Sequence, residues 1–416
     1  MVIWGPRVGY SVADQAVVSG TSLGLNLLLV RTLPADAYGV FALAFAAFLF
    51  LSGFHSALLL EPLGVVGPAR YRNRRPAYFR AAALLHVGLG LIFVVVVAVG
   101  VVIAQHWSPP LVPALLALAI ATPAILLFWL VRQECYVEMQ PRLALRTSAM
   151  YAAGVGVVLW VLASTGQLSP AGALLAMAAA SIFASVTVWR RLHSGARSRE
   201  VQLREVLRDH WAYGRWATGS ALVNWLSSTA YLPVVGLLGG LEAAGVFRAL
   251  QILVFPLQKV VAALGQLFLP WLSTRRAALG DAYVRRVLPR LSALNLILAI
   301  VYVLALLAVA RWGIRLLYGG AYAQFAWLVP YLGAAVILEA LAGGGYVALK
   351  ALERPDAIFA AQLAGALLTF SGGVLLVRDF GLLGAGVGTA VTAAVIAGSL
   401  AIFLLRALRR DGMTGA

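Results

Sequence analysis

Long apolar runs alternate with short polar breaks along this chain. The runs lie at about 12–30, 39–60, 81–104, 111–131, 143–163 and 170–189, then at about 216–238, 245–269, 289–310, 323–349, 357–377 and 382–405. Each is long enough to cross roughly 30 Å of hydrocarbon as a helix. They are numbered here spans 1 to 12. The longest polar stretch, Arg190–His210, separates the first six from the last six. The pattern predicts an all-α integral membrane protein of about twelve transmembrane helices. Residues 1–195 would form an N-terminal six-helix lobe, 196–211 a cytoplasmic linker and 212–416 a C-terminal six-helix lobe. Within the linker, Val201, Leu203, Val206 and Leu207 alternate with Arg204, Glu205 and Arg208. That spacing fits an amphipathic surface helix, and a solvated connector is the plainer alternative.

The two halves share a signature. Asp36-Ala37-Tyr38-Gly39-Val40-Phe41 opens span 2, and Glu242-Ala243-Ala244-Gly245-Val246-Phe247 opens span 8, 206 residues later. An offset close to half the chain suggests a duplicated, pseudo-symmetric architecture. The turn before span 8 is expected over residues 239–244. Span 8 differs from its counterpart in carrying Arg248, Gln251, Gln258, Lys259 and Gln266. At about 100° per residue, Arg248, Phe255, Lys259 and Gln266 fall within about 20° of one line, with Gln251 beside them. An ionised side chain in mid-bilayer costs about 2.5–3.5 kcal/mol even on lenient scales. Lys259 lies about 16 Å along the helix from Pro270, too far for its ammonium to snorkel, so it is expected to face water or a partner. For Arg248, three residues beyond Gly245, snorkelling is an equal alternative.

Composition agrees with lipid as the solvent. Hydrophobic residues make up 62% of the chain and charged residues 11%, against roughly 25% charged in a soluble domain. The net charge of +17 does not mark a nucleic-acid binder, because the arginines cluster in short connections. Most fall in the even-numbered connections and at the termini, leaving Arg31, Arg311, Arg315 and Arg378 in the odd ones. The positive-inside rule then places both termini in the cytoplasm. The single cysteine, Cys135, excludes an intrachain disulfide. No cleaved signal peptide is read at the N-terminus. No phosphate-cradling glycine loop or metal-ligand spacing occurs, so no cofactor, metal or catalytic residue is expected and an enzyme is disfavoured.

Other polar residues in the spans define further candidates. Span 1 presents Gln15, Ser19, Ser22 and Asn26 on one face and ends at Arg31, while span 7 presents Asn224, Ser227, Ser228 and Tyr231. Such stripes serve helix packing or line a polar surface. His55 and Glu61 in span 2, His86 in span 3 and Glu339 in span 10 are the remaining titratable groups near hydrocarbon. Coupling of ion movement is one role open to Glu339, Glu61 and His55. Hydrogen-bonded packing for the histidine and an interfacial position for Glu61 are the others. Glu339 could instead pair with Lys259 or remain protonated.

Several segments resemble one family. They are Leu29-Val30-Arg31-Thr32-Leu33-Pro34-Ala35-Asp36-Ala37-Tyr38-Gly39, Ala244-Gly245-Val246-Phe247-Arg248-Ala249, Leu269-Pro270-Trp271-Leu272-Ser273, Leu316-Leu317-Tyr318-Gly319-Gly320-Ala321-Tyr322 and Gly381-Leu382-Leu383-Gly384-Ala385-Gly386. In order and spacing they resemble the polysaccharide-transporter branch of the multidrug/oligosaccharidyl-lipid/polysaccharide (MOP) exporter superfamily, which holds O-antigen and capsule flippases. The resemblance implies two lobes around a central cavity lined mainly by spans 1, 2, 7 and 8. It also implies a bacterial inner-membrane location and export of a polyprenyl-diphosphate-linked glycan by alternating access. A polysaccharide polymerase or export machinery would be the protein partner. On that reading Arg31, Arg248 and Lys259 would attract the diphosphate or acidic sugars. Gln251, Gln266, Asn26 and Asn224 would hydrogen-bond the glycan. A multidrug or small-lipid exporter, and a membrane glycosyltransferase or polymerase, are the alternatives. The last would need a long external loop, which the sequence lacks.

Overall fold

A computed structural model describes residues 4–71, 73–192, 201–318, 320, 322–352 and 354–410. Among them every regular element is a helix. The chain divides into two compact units, Met1–Leu222 and Val223–Ala416.

In the first unit, span 1 is Trp4–Thr32 and span 3 is Arg75–Trp107. Span 2 joins Ala35–His55, a π-helical turn at Ser56–Leu60, and Glu61–Arg70. Spans 4, 5 and 6 are Val112–Val137, Pro141–Ser164 and Pro170–Leu192. Span 4 buries Ala114, Ala117, Leu118, Ala121 and Ile125, and span 6, packed against it, buries Ala173, Ala176, Ala180 and Ala184. Small residues at helical spacing let backbones approach closely, which supplies packing where lipid removes the hydrophobic drive. The outward face of span 3 exposes Leu84, Val87, Leu91, Val95 and Val99. That surface would be an aggregation patch in water and is matched to acyl chains in a membrane.

The second unit begins inside a helix. Leu203–Ser228 crosses the boundary between the units, and after a turn at Thr229-Ala230 the chain continues as Tyr231–Leu279. Pro233 explains the turn. It has no N–H to offer the Thr229 carbonyl, and Leu232 bonds that carbonyl instead, N to O 3.2 Å. Gly240, at φ 83° and ψ 177°, separates span 7 from span 8. Only glycine takes that conformation without strain. The turn is therefore a single residue rather than the stretch 239–244, and Glu242, Ala243 and Ala244 already lie in the helix. Span 8 also runs on through Pro270 to Leu279, because a proline there deletes one hydrogen bond without stopping the helix.

Span 9 is Asp281–Tyr318, and span 10 is a 3₁₀ turn Ala323–Leu328 leading into Val329–Ala351. Span 11 comprises Pro355–Leu368, a second π turn at Thr369–Gly373, and the start of Val374–Arg410, whose break at Gly381 opens span 12. Ten helical stretches among the described residues are long and apolar enough to cross a membrane. One of them, Pro355–Leu408, is divided at Gly381, and span 7 is shared between two helices, which together give the twelve spans expected. The described part of the 196–211 stretch is no separate connector. From Leu203 onward it is the leading part of span 7, and Val206 is fully buried in a cluster with Leu59, Leu63, Tyr71 and Tyr78.

Candidate functional site

Span 8 of the second lobe carries the polar stripe. The helix starts at Leu241 after the Gly240 break, so Glu242 sits in its first turn, where a carboxylate complements the helix dipole; Asp36 holds the same place in span 2. Arg248 is buried, and its guanidinium carbon lies 4.8 Å from the centroid of the Phe255 ring. The pair confirms the shared face read from their spacing, and such cation–π contact offsets part of the cost of burying the charge. Two tyrosines of span 9 brace the same segment. Tyr318 Oη donates to the Ala249 carbonyl at 2.8 Å and Tyr302 Oη to the Leu253 carbonyl at 2.6 Å.

One turn further on, Gln258 Nε2 donates to Glu339 Oε2 of span 10 at 2.8 Å. Glu339 thus meets Gln258 instead of Lys259. Lys259 is exposed, midway along the helix, and forms no ion pair among the described residues. Gln251 is half-buried on the same helix. The side chain of Gln266 lies outside the described residues. Asn224 is exposed and accepts a hydrogen bond from Gln362 Nε2 of span 11 at 3.1 Å.

The first lobe uses its polar residues differently. Asn26 is buried, donates to the Ser22 carbonyl at 2.8 Å and accepts from Tyr38 Oη at 3.1 Å, tying span 1 to span 2. Arg31 is exposed at the end of span 1, and Glu61 is exposed on span 2 just past the π turn. His55 is fully buried, with Nε2 3.0 Å from Nδ1 of His86.

Three features of this lobe went unread in the sequence. Asp14, fully buried in span 1, accepts from Arg132 Nη2, Tyr136 Oη and Ser148 Oγ, each at 2.5 Å. The signal was the acid itself, since a carboxylate in an apolar run needs donors. Glu134 is fully buried, with neither carboxyl oxygen hydrogen-bonded among the described residues. The third is a clasp on the leading part of span 7. Asp209 meets Arg70 at 2.8 Å and Tyr71 Oη at 3.0 Å. His210 donates from Nδ1 to the Leu58 carbonyl at 3.1 Å and accepts at Nε2 from Tyr78 Oη at 2.7 Å. Burial holds the His210 imidazole below its ordinary pKa. Gly214 lies so close to the backbone at Ala57 and Leu58 that a Cβ there would sit 2.8 Å from the Ala57 carbonyl oxygen. The clasp therefore grips the π turn of span 2, where a widened helix leaves its carbonyls accessible.

Two units of membrane-length helices define a polytopic, all-helical membrane fold. The fold is similar to that of an inward-facing multidrug resistance MATE family transporter of the MOP superfamily, at 13% identity over 98% of this chain and 100% of that chain, with a TM-score of 0.79. It is also similar to lipid II flippase MurJ in an inward closed conformation, at 11% identity, 96% and 89% coverage and a TM-score of 0.72. A MOP superfamily transporter from Pyrococcus furiosus matches at 12% identity, 96% and 94% coverage and a TM-score of 0.66. No curated protein sequence matches the chain. The polysaccharide biosynthesis protein family matches residues 28–327, and the chain belongs to that family.

Proposed function

We propose that this protein is a flippase that carries a polyprenyl-diphosphate-linked glycan from the cytoplasmic to the outer leaflet of a bacterial inner membrane by alternating access. Both termini would be cytoplasmic, and a polysaccharide polymerase would take up the product. Membership of the polysaccharide biosynthesis protein family supports a glycan as cargo. The observation that carries the reading is Lys259, an exposed cation in the middle of a membrane-crossing helix, with no ion pair among the described residues and buried Arg248 on the same helix. A cation kept there against a cost of about 2.5–3.5 kcal/mol is suited to an anionic head group, which it would meet through charge-assisted hydrogen bonds. Arg31 would serve an anionic group, and Gln251, Gln266 and Asn224 the sugars; Asn26, buried and bonded to Ser22 and Tyr38, is removed from that role.

Reconstituted vesicles loaded with a fluorescent undecaprenyl-diphosphate sugar test the proposal. Lys259→Ala should keep normal abundance and lose at least tenfold in flipping rate, with partial recovery in Lys259→Arg. An undiminished rate in Lys259→Ala would remove this residue from substrate recognition. Faster transport of lipophilic cations than of the anionic lipid by the wild type would favour the drug-exporter reading.

A further inference from the structure

His55 and His86 form a two-ring hydrogen-bonded chain inside the first lobe. His86 also hydrogen-bonds the backbone of Pro123 on span 4. Proline has no N–H, so that bond runs from an imidazole N–H to the Pro123 carbonyl. His86 Nδ1 is the atom 3.0 Å from His55, so the nitrogen bonded to Pro123 is Nε2 and Nδ1 is the acceptor. His55 Nε2 must then donate, which leaves His55 Nδ1 as a bare acceptor. That atom is buried and has no hydrogen-bond partner among the described residues. The two tautomers follow from the bonding pattern alone.

The surroundings are built around this chain. Gly90, one turn along span 3 from His86, faces Pro123 so closely that a Cβ would lie 3.2 Å from the proline Cβ. Its missing side chain lets span 3 approach the Pro123 carbonyl. His55 is the last α-helical residue before the π turn at Ser56–Leu60. Among the described residues no carboxylate, arginine or lysine acts on either ring. Span 4 brings Pro123 and the neighbouring buried Thr122, a neutral hydroxyl. The leading part of span 7 brings His210, bonded to Tyr78 of span 3 and to the Leu58 carbonyl, three residues from His55. Glu61 is exposed beyond the π turn, and Glu134 lies three turns past Pro123 on span 4. An acceptor left open in the core costs stability, and here it lies at the free end of the two-ring chain, where a proton would satisfy it.

We propose that His55 and His86 together bind one proton, accepted at His55 Nδ1 and shared along the pair toward the Pro123 carbonyl. A proton added at Nδ1 makes His55 an imidazolium. Its Nε2 proton can then pass to His86 Nδ1, so the charge moves to the ring that faces a carbonyl dipole and no bond other than N–H is broken or made. A second proton would place two cations in contact, so the site takes one. The proposal rests on the transport reading, for which it supplies the proton-coupling element. The test separates the two.

Histidine labelled with ¹⁵N in the purified protein in lipid nanodiscs is titrated by NMR between pH 4 and pH 9. Two rings should shift together through a single-proton step, and the remaining ring's titration should change in His55→Gln and in His86→Asn, variants that keep one amide donor. Independent titration of the two rings, or no titration of either across the range, overturns the site. If a variant does not fold, the wild-type titration decides alone. In vesicles, an imposed pH gradient should accelerate flipping by the wild type, and the acceleration should vanish in His55→Gln. A joint titration with no transport of the undecaprenyl-diphosphate probe would leave the proton site standing and sink the flippase reading. Gradient-driven transport that survives in both variants would sink the site and leave the flippase.

Discussion

Spans 2 and 8 open on closely matching six-residue signatures and place them alike, yet their interiors are opposites. At the 206-residue offset Arg248 corresponds to Ala42, Gln251 to Phe45, Gln258 to Ser52 and Lys259 to Gly53. Span 2 fills those turns with rings: Phe41 stacks on Phe45 at 5.6 Å and Phe45 on Phe48 at 5.5 Å. Span 8 fills them with cations and amides. The signature itself stays fixed because Val40 and Phe41, like Val246 and Phe247, are buried. The matching residues therefore secure packing at the start of each helix and leave the next turns free to differ. Polarity differs in kind as well. The first lobe gives its buried Asp14 an arginine and two hydroxyl donors, whereas the second leaves Lys259 exposed with no ion pair among the described residues.

That contrast predicts where mutation strikes. The largest effect belongs to Arg132→Met, which strands Asp14 as a buried carboxylate. Breaking such a pair costs about 3–5 kcal/mol, so folded yield in size-exclusion chromatography should collapse. Asp14→Leu combined with Arg132→Met should recover most of it. Normal yield in the single variant would mean that the first lobe tolerates open charge as the second does.

A smaller effect comes from acid. His210 is held neutral by burial, below its ordinary pKa. The unfolded or undocked state, with a pKa near about 6.5, binds the proton more readily. The clasp is thus fully present above that value and is lost as pH falls through the lowered docked pKa. Hydrogen exchange across residues 203–215, corrected for intrinsic rate, should lose protection below about pH 6. In His210→Leu the protection should be weaker and no longer depend on pH. The smallest effect is expected for Glu205→Gln. Its 3.4 Å contact with Arg74 is half-exposed, and such pairs contribute roughly 0.2–1 kcal/mol. Thermal unfolding should barely shift.

The spans, their grouping into two lobes and the Arg248–Phe255 face were legible in the sequence, because each rests on hydrophobic period or on local spacing. What it concealed were partnerships across long separations. Asp14 and Arg132 lie 118 positions apart, and nothing in the local sequence around either points to the other. Tyr78 and His210 are 132 apart. Pairing with Lys259 is one of the readings the sequence leaves open for Glu339, and the rotation of span 8 gives it Gln258 instead, one position away, a difference that spacing alone cannot resolve. His55 reads as a single titratable group, and only the closeness of spans 2 and 3, with span 3 in turn held against span 4 at Gly90 and Pro123, shows it to be half of a pair.

The boundary between the compact units falls inside the helix Leu203–Ser228, and this has a consequence for biosynthesis. A lobe ending with its sixth span could finish folding as soon as residue 192 left the ribosome. Here Tyr71, Tyr78, Asp209 and His210 meet only after the leading part of span 7 has been made. Translation must therefore begin the second lobe before the first is complete. The last step in assembling one half coincides in time with membrane insertion of the other.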